Sequence, residues 1–246
     1  MTDWMVEKHE PYSKVFTHHP ASFDSKYVTS HPGIPWHVDR SFDALVSSPM
    51  PKKTKDLSWI VGDAMELPGH KKRWAFLEYI RRQSSFEIDL YGRAVKFIED
   101  KWDGLAPYRF SLAIENTRGP DYWTEKVADC FLSWTVPFYY GCTNLTDYFP
   151  KESFIEIDID RPLTSLEKIK ASVDNGAWLN RVPALEEARR LVLHKYQLFP
   201  HLVGLIHTYG YQNASKVALK IPTYMRSSKA RIYRTVRKLK KTLRLM

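Results

Sequence analysis

Cationic side chains that could bind a diphosphate occur at two points where a predicted strand gives way to a predicted helix. The first is the segment GDAMELPGHKKR, which ends at Arg73, and the second is ENTRGPDYWTEK, which ends at Lys126. A helix N-terminus offers free N–H groups and roughly half a positive charge, so it favours a bound anion. Cations at a helix start are electrostatically misplaced unless an anion lies in front of them.

Two interpretations of these cations are open from their spacing. In the first, Arg73 and Lys126 converge with the polar run that begins at Glu115 and bind a diphosphate. In the second, they form surface ion pairs with the nearby Glu66 and Glu125 and bind no ligand. The spacing alone does not decide between them.

Strands and helices alternate from Asp56 onward, and this alternation predicts a parallel, doubly wound α/β sheet. Ligands of such sheets bind beyond the carboxyl ends of the strands, where both cationic segments are expected. The predicted strands are Leu57–Val61, Phe86–Tyr91, Arg109–Ile114, Val136–Tyr140 and Ser153–Ile157. The predicted helices are His70–Gln83, Val95–Trp102, Tyr122–Trp134, Leu163–Val173 and Ala184–Leu198.

The chain is expected to have three parts. Residues 1–52 are irregular, with prolines around short candidate strands such as Lys14–His18, and a linker is predicted at Ser47–Lys55. Residues 53–205 are predicted to form a Rossmann-like domain. Residues 206–246 are predicted to form a basic tail.

Composition excludes several classes of protein. The chain has 246 residues, of which 43% are hydrophobic, so it can form a packed core. Its apolar runs are shorter than the roughly 18–20 residues of a membrane span. Two cysteines, Cys130 and Cys142, make no disulfide framework, and the polar start of the chain does not resemble a signal peptide. We therefore expect a cytoplasmic protein.

The net charge of +9 is unevenly distributed. Residues 188–246 contain 14 of the 37 Lys and Arg residues and no acidic residue, so residues 1–187 carry a net charge of −5. This pattern indicates a cationic arm on a mildly acidic body. A nucleic-acid partner is not expected, because the body is acidic and aromatic residues do not alternate with the cations.

The tail Thr223–Met246 has the pattern of a basic amphipathic helix. Its apolar stripe consists of Ile232, Val236, Leu239 and Leu243. We expect this helix to lie on an anionic membrane and make the protein a peripheral membrane protein. The alternative is a terminal helix that packs on the body through the same stripe. The predicted membrane contacts are Arg231, Arg234, Lys238 and Lys241.

The segment Tyr108–Ile155 closely resembles the donor-binding domain of glycosyltransferase family 10, the α-1,3/4-fucosyltransferases. The family pattern Y-[KR]-F-x-[IL]-x-[FI]-E-N-S, Y-x-T-E-K and T-[VI]-P-[VI]-Y-x-G matches here as YRFSLAIENT, YWTEK and TVPFYYG. Thr117 and Phe138 are mild departures from it. The similarity extends from about Tyr12 to Asp160.

The resemblance implies a GT-B architecture and metal-independent, inverting transfer of fucose from GDP-fucose to a hydroxyl of a glycan acceptor. By motif position, Arg73 and Lys126 would bind the diphosphate, while Asn116, Tyr122 and Glu125 would line the donor pocket. No cofactor is expected besides the donor substrate. The predicted donor-binding residues are Arg73, Glu115, Asn116, Tyr122, Glu125 and Lys126.

The sequence departs from the family before its donor domain. Family members have a complete acceptor-side domain there, with a glutamate as general base, whereas residues 1–52 resemble only the closing strands and linker of that domain. Neither Glu7 nor Glu10 matches the position of the base, so the catalytic base is unassigned. We expect this chain alone to transfer sugar poorly. The alternative function is a non-catalytic GDP-sugar-binding fragment, or half of a split enzyme.

Asp158-Ile159-Asp160 has the D-x-D spacing with which another class of glycosyltransferase binds a divalent metal. The family resemblance places an ordinary junction between strand and loop at this position. We therefore predict no metal site.

Overall fold

Parallel strands form the centre of the structure. The computed structural model describes residues 12–18, 25–33, 36–83, 87–93 and 95–210. Its strands are β1 (Val15–Thr17), β2 (Tyr27–Thr29), β3 (Lys55–Ile60), β4 (Asp89–Tyr91), β5 (Tyr108–Gly119), β6 (Val136–Cys142) and β7 (Ile155–Glu156). Strands β3 to β7 form one parallel sheet in the order β4–β3–β5–β6–β7, which confirms the predicted class. Strands β1 and β2 pair in parallel apart from it.

Helices pack on the sheet. The α-helices of the described residues are α1 (Phe42–Ser47), α2 (Pro68–Arg81), α3 (Glu125–Leu132), α4 (Pro162–Asp174), α5 (Val182–Leu191) and α6 (Leu198–Tyr209). Helix α2 contacts α4, and α3 contacts α5. The connections β3–α2–β4 and β5–α3–β6 run in opposite directions across the sheet. Because such connections are right-handed, α2 and α3 lie on opposite faces.

The core forms around β5, which is the middle strand of the sheet. Most of its side chains are buried as far as Glu115, as expected of a parallel strand covered on both faces. Phe110 of β5 stacks on Phe138 of β6, with ring centroids 5.2 Å apart, and both rings are fully buried. The apolar residues of this region therefore fix the register of the strands that carry the site.

The prediction of a helix at Val95–Trp102 is wrong. Residues 95–100 are not helical, and a 3₁₀ turn follows at Lys101–Gly104. The carboxylate of Asp100 accepts hydrogen bonds from the backbone N–H groups of Trp102 and Asp39 and from Arg40. A side chain that bonds to nearby backbone in this way competes with helical hydrogen bonding, so apolar spacing alone misleads here.

The other elements predicted within the described residues are present, with different bounds. Strand β7 is short because Lys151–Ser153 forms a 3₁₀ turn before it. The predicted helix Ala184–Leu198 corresponds to α5 and a π-helical turn at Val192–Tyr196, and α6 begins at Leu198, where the prediction ends. The break occurs at Gln197, whose backbone is extended and whose side chain accepts a hydrogen bond from the Phe199 N–H.

The predicted linker Ser47–Lys55 is tied to the body by a partly buried lysine. The Lys53 ammonium donates to the carbonyl oxygens of Ala106 and Ser133 and to the Thr135 hydroxyl. Burial lowers the pKa of Lys53 to about 7. The division of the chain at residue 53 remains a prediction.

Within the described ranges, no helix is both long and apolar enough to cross a membrane. The predicted tail helix Thr223–Met246, with its membrane contacts, lies outside the described residues.

Helix α2 begins directly against the end of β5. A Cβ built on Gly69, in the first turn of α2, would lie 1.6 Å from the backbone oxygen of Asn116. No side chain fits in this space, and the neighbouring atom belongs to the backbone and cannot rotate away. Glycine at position 69 thus permits the close approach of the two elements.

We predict that Gly69→Ala destabilises the protein by about 1–3 kcal/mol, the usual cost of overpacking, as measured by urea unfolding. The matched control is Gly204→Ala in α6, where a Cβ would meet nothing within 4 Å. A helical glycine replaced by alanine without strain gains about 0.4–1 kcal/mol. Equal effects of the two substitutions would contradict the proposed contact.

Candidate functional site

A cavity of about 560 Å³ opens at the carboxyl ends of β3 and β5. The chain leaves these neighbouring strands in opposite directions, toward β4 from β3 and toward β6 from β5. A crevice forms at such a switch point, and it is the usual ligand site of an open parallel sheet. The polar side chains that line the cavity are His37, Asp63, His70, Arg73, Arg93, Glu99, Lys101, Ser111, Asn116, Glu125, Lys126 and Asp129.

Arg73 projects from α2 and is buried, with 5% of its surface exposed. Its Nη1 donates to Asn116 Oδ1 at 2.6 Å, and its Nη2 donates to the Gly62 carbonyl oxygen at 3.2 Å. Its Nε is buried and has no hydrogen-bond partner in the described part of the chain. Arg73 and Asn116, which are distant in sequence, are therefore brought together at the cavity.

Lys126 lies in the first turn of α3 between two carboxylates. Its Nζ is 3.1 Å from Glu115 Oε2 and 3.3 Å from Glu125 Oε1. Burial lowers the pKa of Lys126, but the two carboxylates outweigh it and the net pKa is raised. The ion pair with Glu125 that one interpretation of the sequence expected is present, and it lies in the cavity wall.

Glu115 is fully buried and does not line the cavity. Its carboxylate accepts hydrogen bonds at 2.8 Å from both the backbone N–H and the hydroxyl of Thr124, the N-cap of α3. Burial raises the pKa of Glu115, and Lys126 opposes this shift. Glu115, near the end of β5, thus lies in the protein interior and contacts both Lys126 and the N-cap of α3.

Glu125 and Tyr122 lie on either side of Thr124. Burial raises the pKa of Glu125, but Lys126 and Lys101 lower it more, so the net pKa falls and the carboxylate is ionised. Tyr122 is half-buried beside the cavity without lining it, and its ring packs on His18 with centroids 4.7 Å apart. A contact of Tyr122 with the donor remains a prediction.

Among the cavity residues that the sequence analysis missed are Asp129, Lys101 and His37. Asp129 is buried, accepts the backbone N–H of His37 at 2.8 Å, and forms an ion pair with Lys101 at 3.0 Å. Lys101 and His37 Nδ1 each lie 3.8 Å from Glu125 Oε1. The sequence contains a signal for Asp129, because it is four residues after Glu125 in a predicted helix and so lies on the same helix face. His37 and Lys101 reach the cavity only through tertiary packing.

The D-x-D carboxylates have other partners. Asp160 is 2.9 Å from Lys72 Nζ, and its backbone N–H donates to Asp158 Oδ1. Among the described residues, no group of three or more His, Cys, Asp or Glu side chains is arranged to bind a metal ion.

Comparison with known proteins identifies the family. The family model described as "Glycosyltransferase family 10 (fucosyltransferase) C-term" matches residues 50–174, half of the chain. The chain belongs to glycosyltransferase family 10. This confirms the family that the motifs around Tyr108–Ile155 predict.

Curated relatives match this chain over part of their length. Alpha-(1,3)-fucosyltransferase FucT of Helicobacter pylori is 37% identical over 60 residues, covering 24% of this chain and 13% of that protein. The 4-galactosyl-N-acetylglucosaminide 3-alpha-L-fucosyltransferase 9 of Homo sapiens is 31% identical over 133 residues, covering 52% of this chain and 35% of that protein. The chain thus spans about a third or less of these relatives.

Solved structures share the fold. An alpha1,3-fucosyltransferase crystallised with GDP has a TM-score of 0.50 at 16% identity, covering 76% of this chain and 72% of that chain. A variant of S. aureus TarM has a TM-score of 0.54 at 12% identity, covering 85% of this chain and 46% of that chain. At these identities the likeness concerns the fold alone, which is α/β and similar to GT-B glycosyltransferases.

We predict that Glu115→Ala destabilises the protein by about 3–5 kcal/mol in urea unfolding, because Lys126 and Thr124 lose their buried acceptor. The control is Glu187→Ala, which removes an exposed pair with Arg190 and should leave the unfolding midpoint almost unchanged. Glu115→Gln, which keeps the shape and one acceptor, should fall between the two. A Glu115→Ala protein as stable as the control would show that the buried pair contributes nothing.

Proposed function

We propose that the chain binds GDP-fucose in the cavity at the switch point and transfers fucose to a hydroxyl of a glycan acceptor. The observation that carries this proposal is the position of Arg73, in the second turn of α2, and Lys126, in the first turn of α3, at one cavity in a family 10 chain. The names of the relatives describe fucosyltransferases, and one structure of similar fold was crystallised with GDP.

Arg73 and Lys126 are proposed to bind the diphosphate. The guanidinium of Arg73 lines the cavity, and Lys126 can exchange a carboxylate partner for a phosphate oxygen. Asn116 is proposed to orient Arg73 and contact the donor. Glu125 is proposed to accept hydrogen bonds from sugar or ribose hydroxyls, with Tyr122 at the edge of the pocket.

The proposed reaction inverts the anomeric carbon and uses no metal. The bond from that carbon to the diphosphate oxygen breaks as the acceptor oxygen bonds to it, GDP leaves with the electron pair, and the acceptor hydroxyl gives its proton to a general base, which is unassigned. Negative charge grows on the leaving diphosphate, so the fixed cations and helix N–H groups stabilise the transition state more than the ground state.

The second candidate function is binding of GDP-fucose without transfer. It is favoured by one observation, that no residue of the sequence matches the family's general base. Proton removal by a general base contributes about 10²–10⁴-fold to rate. A transfer assay with a lactose-type acceptor separates the candidates, because GDP-fucose binding without product formation is the outcome expected of the second.

We predict that calorimetry in EDTA detects GDP binding, and that Arg73→Ala or Lys126→Ala weakens it about ten- to a hundredfold. Charge-assisted hydrogen bonds contribute about 1.5–3 kcal/mol each, which gives this range. The matched control is Lys71→Ala, an exposed cation on the same helix as Arg73, which should bind GDP normally. Binding that requires Mn²⁺, or equal losses in all three variants, would contradict the proposed site.

We further propose, from the sequence alone, that the tail residues 223–246 bind an anionic membrane on its cytoplasmic side. Each cation near such a surface contributes about 1 kcal/mol at best, and the narrow apolar stripe adds to this. This interaction would place the cavity near lipid-linked acceptors.

We predict salt-sensitive co-sedimentation with vesicles that contain anionic lipid and none with neutral vesicles. Deletion of residues 223–246 should abolish it. Equal sedimentation with both vesicle types, or sedimentation unchanged by the deletion, would refute the membrane role.

A further inference from the structure

A cluster of aromatic rings beside the cavity joins three segments that are far apart in sequence. One member comes from the segment before α1, one from the loop before α3, and the others from the region of residues 148–201. We call this group the His31 cluster. Its members are His31, Trp123, Tyr148, Tyr196 and His201.

His31 lies at the centre of the cluster and is 6% exposed. Its ring stacks on that of Trp123, with centroids 4.7 Å apart and an interplanar angle of 19°, and lies 3.8 Å from the ring of His201. Burial and His201 lower the pKa of His31 to about 3, against an opposing effect of Asp121, so the ring is neutral. Its Nδ1 can therefore accept the backbone N–H of Gly33, at 3.1 Å.

The turn at Gly33 fits this arrangement. Its φ is +60°, a conformation that favours glycine, and a Cβ there would lie 3.0 Å from Cδ2 of His201. The ring of His201 is held in turn by a 2.9 Å hydrogen bond between its Nε2 and the Ser30 hydroxyl. The segment 30–33 is thus shaped to place His31 between α6 and Trp123.

Trp123 connects the cluster to the cavity. It directly precedes Thr124, the N-cap of α3, and is three residues before Lys126. The same loop is held at Asp121, whose φ of 57° is unusual for a residue other than glycine. The Tyr148 hydroxyl donates to Asp121 Oδ1 at 2.6 Å. The loop 121–124 is therefore held at Asp121 by Tyr148 and at Trp123 by His31.

We propose that His31 is a positioning residue for the nucleotide site, acting through Trp123 to hold the loop 121–124 and thereby the start of α3. His31 does not line the cavity, so its effect on binding is indirect. Trp123 cannot shift without moving Thr124, and Thr124 bonds to both Glu115 and Lys126. This inference rests on the proposed function, because GDP binding is its measure.

The test compares GDP affinity, measured by calorimetry well below the melting temperature, for three substitutions of His31. His31→Ala removes the ring that packs on Trp123 and should weaken binding about two- to tenfold. His31→Phe keeps a ring for Trp123 and should restore most of the affinity. His31→Gln keeps an acceptor for the Gly33 N–H but no ring, and should bind as weakly as His31→Ala. The matched control is His207→Ala, an exposed histidine of α6 that should bind normally.

The outcomes of this test distinguish the positioning role of His31 from the proposed binding of GDP. Loss of affinity in His31→Ala and His31→Gln with rescue by His31→Phe supports the positioning role. A lower melting temperature with unchanged GDP affinity shows that His31 is only structural and overturns it. If His31→Ala does not fold, His31→Gln and His31→Phe decide in the same way. Absence of GDP binding by the unsubstituted chain contradicts the proposed function instead.

Discussion

The buried contact of Glu115 with Thr124 and Lys126 is the interaction on which the geometry of the cavity depends. A carboxylate at the end of β5 accepts the N–H and hydroxyl of the residue that starts α3, so one group fixes both the sheet end and the helix start. The neighbouring strand leaves room for it, because a Cβ at Gly141 would lie 2.4 Å from Glu115 Cγ. Such a buried charge is tolerated only with its partners in place.

The cavity is assembled from the two sides of the switch point by different means. On the α3 side, charge and hydrogen bonding set the position of Lys126. On the α2 side, close approach of Gly69 to Asn116 sets the position of the helix that carries Arg73. The hydrogen bond between Arg73 and Asn116 then links the two sides. Each cation is thus placed by packing and bonding within the protein before any ligand binds.

The sequence predicts the part of this arrangement that local rules determine. Strand exits and motif spacing identify Arg73 and Lys126, because parallel strands bring their carboxyl ends to one edge. Strand exits and spacing do not predict the burial of Glu115. This residue lies in a polar run of the sequence and is buried because the start of α3 packs against it. His31, His37 and Lys101 leave no local signal, since each acts on residues distant in the chain. The helix predicted at Val95–Trp102 fails because the Asp100 side chain bonds to the backbone.

The two carboxylates beside Lys126 have a consequence for the end of the proposed catalytic cycle. A lysine whose only strong partner is a phosphate group would hold the nucleotide product and slow the next turnover. Glu125 lies 3.3 Å from the ammonium and Glu115 lies 3.1 Å from it. Both carboxylates can therefore pair with the ammonium again as GDP departs. In the proposed cycle these internal counter-ions would reduce the free energy gained on binding GDP and would favour its release, a step that often limits the rate of an enzyme.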